Sequence, residues 1–201
     1  MNAPEVPLHS YASPTRRRNY VTAMHQLAAT RTTDTPARVY FSAPPSFRER
    51  PNWDRRLTEI RDALPHGVEL LHYETALAAA LSYDTAWQEL APTLDGLIVT
   101  GTRAKPGKTR IIQLGPTGRA ELITMVAAGK PVLLHTIEHG LIPVVDCRPK
   151  RHGVEPHTRL RLTIPKDWQP LEPTLQAALD ALQQPSAPRA RAEVEIMAGR
   201  P

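Results

Sequence analysis

Between residues 37 and 168 the spacing of apolar positions changes period in a regular order. ARVYFSA (37–43) is rich in β-branched and aromatic residues and is halted by Pro44-Pro45, which predicts a strand. In NWDRRLTEIRDAL (52–64), Trp53, Leu57, Ile60 and Leu64 recur at steps of three and four, the period of a helix with one buried face. GVELLHY (67–73) reads as a second strand, and ETALAAALSYDTAWQELAPTL (74–94) as one or two helices stopped near Pro92. DGLIVTG (95–101) is short and almost wholly apolar, as a strand is when helices cover both faces of its sheet. RAELITMVAA (119–128) predicts a helix and PVLLHT (131–136) another buried strand. LIPVVDC (141–147) and RLRLTI (159–164) are further strand candidates, and PLEPTLQAALDALQQ (170–184) is a closing helix. Strands alternating with helices, without an internal repeat, predict an α/β domain: an open parallel sheet with helices on both faces.

The two ends lack this order. Residues 1–36 show little apolar periodicity beyond a short helix in NYVTAMHQLAAT, which follows Arg16-Arg17-Arg18, so they read as a flexible basic arm. Residues 185–201 read as a second flexible tail, which leaves 37–184 as the folded domain. A length of 201 residues fits one domain with tails, and 41% hydrophobic with 22% charged residues is the balance of a globular protein. Aromatic residues make up only 5%, which argues against stacking on bases as the main activity. Cys147 is the single cysteine and allows no intramolecular disulfide. The start, MNAPEVPLHS, has no signal-peptide pattern, and no apolar run approaches the roughly 18 residues of a membrane span. These features predict a cytoplasmic protein without a membrane partner. The net charge of +5 suits phosphate-bearing ligands and is also common in proteins that bind none. The arginine triplet reads as a solvated segment, with nucleic acid as the alternative partner.

In open α/β sheets a ligand lies beyond the carboxyl ends of the strands, near a switch in strand order. The loop after Phe41, the loop after Thr100 and the glycine turn before Glu121 meet that condition. The turn belongs to GPTGRAELITMVAAGKPVLL (115–134), where a lone carboxylate follows the glycines. Glu121 is then either a helix-start acid favoured by the dipole or a nucleophile or base held ionised in a cleft. TGTRAKPGKTR (100–110) supplies Arg103, Lys105, Lys108 and Arg110, a phosphate cradle or a solvated basic loop. Its Gly107-Lys108-Thr109 is no Walker loop, because Thr102 stands where that loop needs glycine. His135, His139, His152 and His157 are irregularly spaced, so neither a metal nor another cofactor is expected. Cys147 reads as a buried structural thiol, and CRPKRHG (147–153) as a surface basic turn or a second phosphate contact.

Three stretches, in order, resemble the nucleoside 2-deoxyribosyltransferases and related nucleotide N-glycosidases. Val39-Tyr40-Phe41-Ser42-Ala43-Pro44 is similar to the family's opening I-Y-L-A-G-P, and Asp95-Gly96-Leu97-Ile98-Val99 to the strand before its glycine turn. T-G-R-A-E-L-I-T-M-V-A-A-G-K-P-V is similar to G-T-x-x-E-I-G-Y-A-x-A-x-G-K-P-V, with Glu121, Gly129, Lys130, Pro131 and Val132 at matching offsets. The resemblance covers about residues 37–136 and implies a single flavodoxin-like (Rossmann-like) domain acting on a nucleoside or nucleotide. It implies that Glu121 attacks the anomeric carbon, that Tyr40 positions it, and that Ser42, Thr117 and Gly118 border the substrate. Family members share active sites across subunits, so a homo-oligomer is an expectation of the same kind. The sequence departs from the pattern at Thr117-Gly118, an inverted Gly-Thr, and at Gly115, where the family carries aspartate. Asp84 is the nearest match to a helical catalytic aspartate, at a longer spacing. Two alternatives follow: a lysine-decarboxylase-like nucleotide phosphoribohydrolase, whose P-G-G-x-G-T-x-x-E is matched in part, and a catalytically silent nucleotide-binding module.

Overall fold

The computed structural model describes residues 14–30, 35–154 and 158–168. In chain order the elements are α1 (Pro14–Thr30), β1 (Ala37–Ser42), α2 (Pro45–Arg48), α3 (Trp53–Ala63), β2 (Val68–His72), α4 (Tyr73–Ala76), α5 (Tyr83–Leu90), β3 (Gly96–Val99), β4 (Thr102–Arg103), β5 (Ile111–Leu114), α6 (Pro116–Ala127), β6 (Val132–Thr136), β7 (Gly140–Pro143), β8 (Arg148–His152) and β9 (Arg159–Thr163). Strands β2, β1, β3 and β6 lie side by side and parallel, and β7 closes the edge antiparallel to β6. This is a Rossmann- or flavodoxin-like α/β domain. The chain moves from β1 to β2 on one side and returns to β3 on the other. The switch in strand order therefore falls between β1 and β3.

Strand β1 shows how the two faces are filled. Its side chains alternate, so Phe41 packs on one face, stacked on Trp53 of α3 with ring centroids 5.4 Å apart. Tyr40 and Ser42 point to the other face, where Tyr40 meets Trp87 of α5 at 5.5 Å. Helix α3 buries Trp53, Arg56, Leu57 and Ile60, three apolar residues and one cation on the same stripe.

Two findings differ from the sequence expectation. Residues 14–30, read as part of a loose arm with a short helix in NYVTAMHQLAAT, form one longer helix, α1, and bury Tyr20, Ala23, Met24 and Leu27 in the core. Steps of three and four place those residues on one helical face, and the arginines before them hide the pattern. Arg16 is no solvated end: its Nε donates to Asp167 at 2.9 Å, and Asn19 beside it donates to Asp146 at 2.6 Å. The second finding is a four-stranded antiparallel sheet in the order β4-β5-β9-β8. Neither β5 nor β8 is predicted from periodicity, since β5 is four residues long and all five residues of β8 are exposed. CRPKRHG is thus an edge strand, not a turn. LIPVVDC is a strand only to Pro143 and then turns through a single 3-10 turn, Val144–Asp146. The closing helix expected at 170–184 and the tail at 185–201 lie outside the described residues, as do residues 1–13.

The G-K-P-V segment has a folding role of its own. Gly129, at φ 69°, ends α6 as a left-handed cap, with its N–H bonded to Val126 and that of Lys130 to Met125. Lys130 Nζ then donates to the carbonyls of Ala91 (3.2 Å), Pro92 (2.9 Å) and Leu94, fixing the turn that leads into β3. Pro131 follows the cap and bars the helix from resuming, and Val132 opens β6 beside Leu97.

Candidate active site

A cavity of about 450 Å³ opens at the carboxyl ends of β1 and β3, at the switch in strand order. Period-two alternation sends Tyr40 and Ser42 into it from β1. Helix α6 contributes Glu121, and its first turn, Pro116 to Gly118, forms part of the wall. Tyr83, the first residue of α5, enters opposite, with Tyr73 and Arg48 also lining the space.

Glu121 is only 2% exposed, and both of its oxygens are engaged. Ser42 Oγ donates to Oε2 and the Tyr83 hydroxyl to Oε1. Tyr83 gives its single proton to Glu121, and the Tyr40 side chain lies beside Tyr83 and interacts with it. Two hydroxyls thus converge on the carboxylate, one on each oxygen. Burial pushes the Glu121 carboxyl above the usual range, while the bonds from Ser42 and Tyr83 pull it back. Burial, and then the Glu121 charge, raise both Tyr40 and Tyr83, which keeps the two phenols protonated as donors.

Helix α6 begins at Pro116, so Glu121 lies in its second turn and is not a helix-start acid. The hydroxyls, rather than the end of the helix dipole, are the groups that favour its charge, because the dipole's influence fades beyond the first turn. The free N–H groups of that first turn belong to Thr117 and Gly118, both on the cavity wall.

The glycines here are not required by the backbone. Gly115 has φ −71°, and a Cβ on it would meet nothing within 4 Å. A Cβ on Gly118 would lie 3.7 Å from Ser42 Oγ, an ordinary contact. Their effect is to leave the cavity open. Gly118→Ala should therefore raise the stability of the folded protein by about 0.5 kcal/mol through the unfolded chain's lost freedom. Urea denaturation measures this, and a loss of stability would mean that the added methyl collides after all.

The other sequence candidates are dispersed. Asp84 is exposed and does not line the cavity. The residue that reaches Glu121 is its neighbour Tyr83, four residues before the buried Trp87 and hence on the same helical face. The expected phosphate cradle is not assembled. Lys105 and Lys108 are exposed and line no cavity among those described. Arg110 donates to the carbonyls of Pro165 and Trp168, and Arg103 pairs with Glu138 beside a different cavity. Tyr83, Tyr73, Arg48 and Arg56 escaped the sequence reading. Tyr83 and Arg56 were legible in principle, as polar groups on otherwise apolar helical stripes. Cys147 is buried, and burial pushes its thiol up to about 12, which makes it a poor nucleophile. Among the described residues no helix is long and apolar enough to cross a membrane. No family model, no curated protein and no solved structure matches this chain.

Proposed function

We propose that the protein cleaves or transfers at the N-glycosidic bond of a nucleoside or nucleotide, with Glu121 as the nucleophile. The observation that carries this is a buried carboxylate held by two hydroxyl donors, Ser42 and Tyr83, in a cavity at the sheet's switch point. A carboxylate oxygen attacks the anomeric carbon as the C–N bond breaks, and the bonding pair leaves with the base. Among the described residues no other carboxyl group lines this cavity, and the departing base takes its proton from a phenol on the wall or from solvent at the cavity mouth. Water or a second base then attacks the anomeric carbon of the ester. The C–O bond breaks, and Glu121 returns as a carboxylate. Ser42 and Tyr83 hold the carboxylate in line throughout, and Tyr40 supports Tyr83.

The lack, among the described residues, of a second carboxyl on the cavity wall favours one other reading, a nucleotide-binding module without turnover. Incubation with a panel of nucleosides and 5′-monophosphates, followed by chromatography for free base, separates the two. Base exchange marks a transferase, and release of ribose 5-phosphate marks a phosphoribohydrolase. Binding without release of any base supports the silent module.

The pH dependence carries a sign. Glu121 reacts as the carboxylate, and its folded pKa is raised by burial. Activity should therefore fall as pH drops through a value above the ordinary carboxylate range of about 4. The acid limb of kcat/KM locates that value, and a limb within the ordinary range would remove Glu121 from the step.

A further inference from the structure

A second cavity, of about 340 Å³, lies at the carboxyl ends of β3 and β6 and shares only Thr100 with the first. It is lined by Phe47, Arg50 and Arg56 from α2, α3 and the turn between them, and by His135 of β6. Arg56 is 7% exposed, on the otherwise apolar stripe of α3. Its contacts are a hydrogen bond from Nη1 to Thr100 Oγ1 at 3.4 Å and the face of the Phe47 ring, 5.0 Å away. Among the described residues no carboxylate forms an ion pair with it. The Arg50 guanidinium rests on the same Phe47 ring at 4.4 Å, so two cations share one aromatic ring.

A buried cation beside a second cation is costly unless an anion joins them. Burial, and then the Arg50 charge, both act against the charged form of Arg56. His135 is 3% exposed, and its Nδ1 has no hydrogen-bond partner. Its ring is neutral, because burial and then the Arg56 charge push its pKa down to about 3. A neutral ring still carries one N–H to donate. The carboxylate on the cavity wall, Glu138, is already paired with Arg103. Two cations that share one ring, with the His135 side chain beside them, thus line one half-open cavity.

We propose that this cavity is a binding site for a phosphate-type oxyanion, held by Arg56, Arg50 and His135. A planar guanidinium offers paired N–H groups that match two oxygens of such an anion, and a dianion satisfies both arginines at once. Phe47 fixes the two cations beside each other before the anion arrives, so little ordering remains to be done on binding. The site stands apart from the Glu121 chemistry and holds whether or not Glu121 attacks a sugar. Its source is either a separate phosphate or the phosphate of a molecule that also occupies the first cavity across Thr100.

Isothermal titration of the full chain with inorganic phosphate tests the proposal. Saturable binding is expected, weakened about tenfold or more in Arg56→Gln and in the surface variant Arg50→Gln. Raised chloride should weaken chiefly the share owed to exposed Arg50, since buried Arg56 is poorly screened. A nucleoside 5′-monophosphate that binds tighter than both inorganic phosphate and the matching nucleoside would assign the site to the ligand's own phosphate. Equal affinity for inorganic phosphate and the monophosphate would assign it to a separate anion. Arg50 is exposed, so its variant decides the matter should Arg56→Gln fail to fold. No saturable binding by the unaltered protein, or unchanged affinity in Arg50→Gln and in a folded Arg56→Gln, would overturn the site.

Discussion

Glu121→Gln is expected to lower base release by about a thousandfold or more while leaving the protein folded and able to bind its ligand. Glutamine keeps the shape of the side chain and removes the charge that attacks the anomeric carbon. One of the Ser42 and Tyr83 hydroxyls can turn to accept from the new NH2 while the other still donates to the amide oxygen, so the local network survives. Stability should rise by about 1 kcal/mol, because a carboxylate whose ionisation burial opposes is replaced by a neutral group. A purely structural Glu121 has the opposite signature. The network would loosen, the melting point would fall, and any activity would follow stability. Thermal denaturation and base release measured on the same preparation separate the two outcomes.

Leu27→Ala should cost about 3 kcal/mol, although Leu27 lies in a stretch whose sequence reads as a basic arm. Leu27 is 1% exposed and packs directly over β3, where a Cβ added to Gly96 would come within 2.6 Å of its Cδ2. Truncation leaves a cavity between α1 and the centre of the sheet. A protein of this size should melt about 10 °C lower as a result. Arg18→Ala, on the exposed face of the same helix, should change stability by less than about 0.5 kcal/mol. Equal small effects from both substitutions would return α1 to the role of a loose arm.

Those two residues also show what the sequence made legible. Strands β1, β3 and β6 could be read because they are buried on both faces and bounded by prolines and glycines. In α1 the segment NYVTAMHQLAAT reads as a short helix, but the three arginines before it hide its full length and its burial. The antiparallel sheet was obscured for another reason. In β8 all five side chains are exposed, so only hydrogen bonds to β9 make it a strand, and no local pattern records that. Gly101 marks the crossing into that sheet, since a Cβ there would lie 2.3 Å from the Gln113 carbonyl oxygen.

In the candidate site, proximity along a motif was informative and proximity by charge was not. Tyr40, Ser42, Thr117, Gly118 and Glu121 come from two segments and meet in one cavity. The basic residues of 103–110 were grouped only by sequence distance, and the hairpin of β4 and β5 spreads them over different surroundings. Asp84 is the nearest match to the family's helical aspartate, yet helical periodicity places Tyr83, not Asp84, on the inward face with Trp87. The G-K-P-V end of the long motif has a complete explanation in helix capping and in the turn before β3. The chemical weight of that motif therefore rests on Glu121 and the turn before it.

Trapping the glycosyl ester tests the central claim most directly. The protein is incubated with a nucleoside or 5′-monophosphate that releases base, and with its 2-deoxy-2-fluoro analogue, which slows breakdown of the ester. Acid-quenched protein is then digested and its peptides weighed. Modification of the peptide carrying Glu121 by one pentosyl unit, or by its 5-phosphate when the substrate is a monophosphate, in step with the base released, is the expected result. Base released with Glu121 unmodified in every quenched sample would contradict it.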